Sequence, residues 1–207
     1  MAPKTKPLKA LKIILDLIKA KPAPNCLLAL YLSIRWRCYV PLSTNIYYPA
    51  NIRIGSKTKF IGRTTLLANG KIDIGSNVEV YEGAFIHCQG GTVTIADNTA
   101  IGPYVIIYGG GDVYIGKYCS IATHTSIIST SHSFSKTGML IREQGCAGLR
   151  VCIEDDVWIG ANCSILYGIN LQKGCIVGAN SMVNRDVHAY SIAGGSPIRM
   201  IKKRIGP

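Results

Sequence analysis

From Ile54 to Val183 an apolar residue returns every six positions, in six groups of three. The groups are Ile54, Phe60, Leu66; Ile74, Val80, Ile86; Ile95, Ile101, Ile107; Ile115, Ile121, Ile127; Ile153, Ile159, Ile165; and Leu171, Val177, Val183. Helices repeat near 3.6 residues and strands near 2, so a period of six implies a short strand, a corner and another short strand. Two positions before each apolar residue, small or β-branched side chains dominate, as at Val78, Thr99, Val105, Val113, Thr125, Val151, Val157, Cys163, Ile169 and Ser181. Two inward positions separated by one outward position are strand alternation. The pattern predicts a mainly β coil wound around a core, three hexads to each turn of a triangular prism, with about six coils. A sandwich of short strands is the competing fold, and eighteen matching positions weigh against it.

The breaks in the pattern are as informative as the pattern. Between successive groups the steps are 8, 9, 8 and 26, from Leu66 to Ile74, Ile86 to Ile95, Ile107 to Ile115 and Ile127 to Ile153, whereas Ile165 to Leu171 keeps the step of six. Every insertion therefore falls at one corner of the prism. The largest, residues 128–150, far exceeds an ordinary connection, and long loops on rigid scaffolds are where function concentrates.

Charge divides the chain. Residues 1–40 hold eight Lys or Arg against one Asp, residues 41–184 hold ten against nine acids, and residues 185–207 hold five against one, which sums to the net +12. The predicted organisation is a basic helical segment over 1–48, the coil over 49–186 and a basic tail over 187–207. No groove-reading helix or aromatic and basic single-strand platform accompanies the charge, so nucleic acid is not expected as a partner. There is no CxxC pair among the eight cysteines. Cys119, Cys163 and Cys175 fall on the small inward position, where cysteine serves as a small hydrophobe, which suits a reduced cytoplasmic protein.

At the N-terminus Leu8, Leu11, Leu15 and Ile18 recur at helical spacing among lysines, ahead of Pro22 and Pro24. Lys12, Asp16 and Lys19 interrupt the apolar stretch, so it does not read as a signal peptide. A second apolar run, Cys26 to Ile34, is too short to span a bilayer. Two compatible readings remain: helices that cover the open end of the first coil, or a basic helix lying on the inner face of a membrane.

Four histidines differ in their places in the repeat. His87 follows an inward residue and faces outward at the looped corner; His124 sits at a turn; His188 lies past the last predicted coil. His132 alone stands within the long insertion, in Ser129-Thr130-Ser131-His132-Ser133-Phe134. A loop imidazole among hydroxyl residues is a candidate general base toward an alcohol or amine, although many loop histidines have no such role.

The coil region from Val113 onward resembles the hexapeptide-repeat acyltransferases. The resemblance is carried by Val113-Tyr114-Ile115-Gly116 leading to His132, by Asp155-Asp156-Val157-Trp158-Ile159-Gly160-Ala161-Asn162, by Val177-Gly178-Ala179-Asn180-Ser181 and by Ala193-Gly194-Gly195-Ser196-Pro197. It implies a left-handed parallel β-helix, a homotrimer with sites between subunits, and transfer of an acyl group from acyl-coenzyme A to a hydroxyl or amine. It makes His132 the general base. Trp158, outward beside Ile159, reads on its own as packing between subunits, and the resemblance places it beside the cleft. Tyr104 and Tyr108 lie on nearby coils and are candidate sugar contacts, or surface and interface residues. The resemblance further implies that Gly160, Ala161 and Ala179 leave room for the pantetheine arm. Asn184 and Arg185 would meet the distal end of the cofactor, and Arg199 and Lys202 its 3′-phosphate, a task suited to cationic side chains.

One departure matters: small-sugar members carry an acceptor-orienting asparagine where this chain has Gly102, so the acceptor is not inherited as galactoside or maltose. The expected activity is acetyl-CoA-dependent O-acetylation of a sugar hydroxyl on a cell-surface polysaccharide or its precursor, in the cytoplasm or at the inner membrane face, with no metal required. N-acetylation of a nucleotide-linked amino sugar is the alternative. More remote are a zinc carbonic anhydrase-like site using His87, His124 and His132, and a non-catalytic scaffold.

Overall fold

The protein, described here by a computed structural model over residues 25–204, is a parallel β-helix of about seven turns. The first face of the prism stacks Ile52–Ile54, Lys71–Ile74, Thr92–Ile95, Val113–Ile115, Val151–Ile153 and Asn170–Leu171. The second runs from Lys59–Phe60 through Ala100–Ile101, Ser120–Ile121, Trp158–Ile159 and Ile176–Val177 to Ser191–Gly194. The third holds seven strands, from Asn45–Tyr47 to Met182–Val183.

Parallel register places residues of equal phase on top of one another: Ile54 against Ile74, Phe60 against Val80, Leu66 against Ile86. All eighteen residues of the hexad pattern are buried, as are the ten residues two places ahead of them. These stacks form one apolar column, in which burial of each large side chain contributes about 1.5–3 kcal/mol before the entropy of ordering is charged against it. Some hydroxyls among the small inward residues bridge adjacent coils, whereas those of Thr44, Thr64 and Ser191 are buried without a partner. Thr99 Oγ1 donates to Gly116 O at 2.7 Å and accepts from Cys119 N at 3.0 Å, and Thr125 Oγ1 makes the equivalent bridge to Gly160 O and Cys163 N.

The corner between third and first faces carries all the insertions, as the step lengths predict. The winding passes both outer limits that the hexads suggest. Ahead of residue 49, Tyr39 bridges Lys59 and Asn45–Tyr47 pairs with Thr65–Leu67. Val40 and Ile46 are buried, six apart, and Ile46 to Ile54 is a step of eight across the same corner. Past residue 186, Ser191–Gly194 adds a parallel strand and Arg199–Lys203 folds back antiparallel on it. The basic tail is therefore woven into the sheet, and Arg204 ties it down by donating to Asp156 Oδ2 at 3.0 Å and Gly174 O at 2.8 Å.

Helix α1, Asn25–Trp36, covers the end of the first turn: Leu32 joins the core beside Cys38 and Val40, and Tyr31 and Trp36 pack against it. The repeat at Leu8 to Ile18 lies outside the described residues. Among those described, no helix is long and apolar enough to cross a membrane.

Candidate active site

The long insertion is an ordered hairpin. Thr130–His132 pairs antiparallel with Cys146–Gly148, with Thr130 opposite Gly148, Ser131 opposite Ala147 and His132 opposite Cys146. Its root is clamped to the coil. Ser129 is fully buried; its Oγ donates to Tyr108 O at 3.0 Å and accepts from Gly111 N at 2.9 Å, while Ser129 O accepts from Leu149 N at 2.9 Å. Its far end is closed by Gln144, whose Nε2 donates to Lys136 O and Met139 O and whose Oε1 accepts from Lys136 N, each at 2.9 Å. His132 thus projects into solvent from a braced arm, with Nδ1 3.5 Å from the Sγ of Cys146. Cys146 escaped sequence reasoning, because nothing in its spacing marks it as the residue opposite His132.

Tyr108 shares this corner, through its carbonyl contact with Ser129 and through edge-on packing against His87 at 5.8 Å. Burial lowers the pKa of His87, and its Nε2 is enclosed without a hydrogen-bond partner. Tyr104 lies elsewhere, at the corner between second and third faces, stacked on His124 with ring centres 5.1 Å apart and planes 5° from parallel. The three histidines of the zinc alternative thus occupy a face, a corner and a hairpin, and no group of three metal-ligating side chains converges among the described residues.

Trp158 stands on the second face between Ser120 and Ile176, with 54% of its surface exposed. The strand end that follows leads to the corner that Gly160, Ala161 and Ala179 share with Tyr104. A Cβ on Gly160 would sit 2.6 Å from Ala179 N, so the coils approach here more closely than any side chain permits. Gly102 occupies the equivalent place earlier in the winding, where a Cβ would meet Ile121 O at 2.6 Å. Beside this strip run the corner residues Asn162 and Asn180, joined by Asn162 Nδ2 donating to Asn180 Oδ1 at 2.7 Å.

At the C-terminal end Arg185 and Arg199 line one cavity of about 250 Å³, together with Asp186, His188, Ser191 and Met200. The buried Ser191 Oγ has no partner there. The lining thus brings the guanidinium groups of Arg185 and Arg199 together with the carboxylate of Asp186. Asn184 and Lys202 are exposed nearby in sequence, Lys202 on the antiparallel strand opposite Ile192. The chain therefore presents His132 and Tyr108 at one corner, Trp158 on a face, and the narrow strip at another corner.

A family described as the hexapeptide repeat of succinyl-transferase matches residues 150–185. The dTDP-4-amino-4,6-dideoxy-D-glucose acyltransferase of Escherichia coli is 28% identical over 159 residues, which are 74% of this chain and 80% of that one. The WbbJ protein of Escherichia coli strain K12, provisionally named a lipopolysaccharide biosynthesis O-acetyl transferase, is 29% identical over 143 residues, covering 65% and 73%. A variant of AntD, an N-acyltransferase from Bacillus cereus solved with dTDP-4-amino-4,6-dideoxyglucose and coenzyme A, superposes with a TM-score of 0.61 at 25% identity, over 79% of this chain and 84% of that one. The chain spans between 45% and 62% of the length of four further curated relatives.

Proposed function

We propose that this chain, which belongs to the hexapeptide-repeat acyltransferases, transfers an acetyl group from acetyl-coenzyme A to a sugar hydroxyl of a cell-surface polysaccharide or its precursor. The observation that carries the reading is His132 held on a braced hairpin at the one corner where every insertion collects. Nε2 of His132 takes the proton of the acceptor hydroxyl as the oxygen attacks. Bound acetyl-coenzyme A supplies the activated acetyl thioester. Gly160, Ala161 and Ala179 admit its pantetheine arm, and Asn184, Arg185, Arg199 and Lys202 meet its phosphorylated end. In a homotrimer the hairpin of one protomer faces Trp158 and the strip of the next, with Tyr104 and Tyr108 at the rim. The E. coli relative WbbJ supports the glycan acceptor.

A second reading, N-acylation of a nucleotide-linked amino sugar, is favoured by the longer match to the E. coli dTDP-amino-sugar enzyme and by the likeness to AntD. The two are separated by following thiol release from acetyl-coenzyme A with hydroxyl-bearing glycans and with amino-sugar nucleotides. Release with glycans is expected; release with the nucleotides alone would sink the O-acetylation reading. His132→Ala is expected to lower kcat by roughly 10²–10⁴, the range a positioned general base contributes.

A further inference from the structure

We propose that Cys146 is a positioning residue for His132: its sulfur accepts the Nδ1–H of the imidazole and holds the ring in the tautomer whose Nε2 is bare. The inference rests on His132 being the base proposed above. Cys146 Sγ lies 3.5 Å from His132 Nδ1, within reach of an N–H···S contact, and the two residues face each other across the hairpin. A neutral imidazole has one N–H and one bare nitrogen, and the partner of one nitrogen decides the state of the other. With sulfur on the Nδ1 side, Nε2 is the nitrogen left for an acceptor hydroxyl. Nε2 takes a proton only when Nδ1 already carries one, and that N–H then points at sulfur. If the thiol donated to Nδ1 instead, Nε2 would hold the proton and present no base.

Other features of the hairpin agree. Cys119, Cys163 and Cys175 are buried in the coil, whereas Cys146 is exposed, so core packing does not account for it. Sulfur is a weak acceptor and cannot set the ring angle unaided. The backbone sets the register, through the antiparallel pairing and the bond from Ser133 N to Gly145 O at 3.0 Å directly beside the pair.

Imidazole ¹⁵N spectra at mildly alkaline pH report the tautomer of each histidine, with the His132 signals assigned by their loss in His132→Ala. The wild-type protein is expected to show His132 as the Nδ1–H form, Cys146→Ala to move it toward the Nε2–H form, and Cys146→Ser, whose hydroxyl also accepts, to keep the wild-type pattern. In turnover Cys146→Ala is expected to lose roughly tenfold to a hundredfold in kcat, part of the base's whole contribution, at unchanged KM for acetyl-coenzyme A. Cys146→Ser should recover most of that loss. Identical His132 spectra in the wild type and Cys146→Ala, or Cys146→Ser as impaired as Cys146→Ala, would overturn the inference. So would a stable acetyl group on Cys146 after exposure to acetyl-coenzyme A alone, since the sulfur would then be a nucleophile. A fully active His132→Ala protein overturns the base assignment as well; an inactive one beside an unaltered Cys146→Ala overturns only the role of sulfur.

Discussion

The inward cysteines show how one side chain senses the coil. Burial pushes Cys119 up from 9.0 to about 11 and Cys175 up from 9.0 to about 12. Well below pH 9 both thiols are neutral in folded and unfolded chains alike, and the stability they contribute is fully present. As pH rises past 9 the unfolded chain releases these protons while the folded one keeps them, so the folded state loses stability until the folded thiols also ionise. Urea midpoints measured from pH 7 to 10.5 are therefore expected to fall in the alkaline range, and to fall less steeply in Cys175→Ala. Equal slopes would mean that the thiol ionises as readily inside the prism as outside it. A thiol reagent should meanwhile label exposed Cys146 in the native protein and reach Cys119 and Cys175 only after unfolding.

At the scale of elements, α1 and the hairpin do opposite things with apolar surface. The helix turns Leu32 into the end of the core and leaves Leu30 and Ile34 in solvent, at 58% and 72% exposure. Leu32→Ala is expected to cost about 2–5 kcal/mol in chemical denaturation, while Leu30→Ala on the same helix should stay within about 0.5 kcal/mol. Similar losses at both positions would mean that the exposed face is covered in solution. How far such elements could be read in advance depended on whether a residue's neighbours in space follow from its phase. Stacked positions such as Ile101, Ile121 and Ile159 repeat one environment coil after coil, so their burial was legible. Val40 and Ile46 obey the same spacing but stand next to the apolar run of α1, which masked them as the opening of the winding. The pairing of Cys146 with His132 left no trace, because Cys-Ala-Gly has no alternation and its register is set by backbone bonds and by Gln144 at the tip. Arg199–Lys203 read as a solvated tail for a related reason: all five residues are exposed, and only backbone pairing makes them a strand.

For the whole molecule, the candidate groups leave the prism from different faces and corners. The hairpin leaves from the corner between third and first faces, Trp158 projects from the second face, and the strip of Gly160 and Ala161 lies where the second face ends. If acyl transfer needs all three, two protomers must share each site, and closed rings of identical chains are the economical way to build such shared clefts. The 22.3 kDa chain is then expected to sediment at three times its own mass. Sharing has a sharper consequence than mass. A trimer made only of His132→Ala chains lacks the base in every cleft, and one made only of Trp158→Ala chains lacks the indole in every cleft. A mixed trimer contains a cleft whose hairpin comes from the second variant and whose tryptophan comes from the first. Co-expression of the two should therefore restore part of the activity that both parents have lost, whereas mixing them after assembly should not until subunits exchange. If co-expressed trimers are no more active than the parents, His132 and Trp158 serve the same protomer, and the shared cleft is wrong.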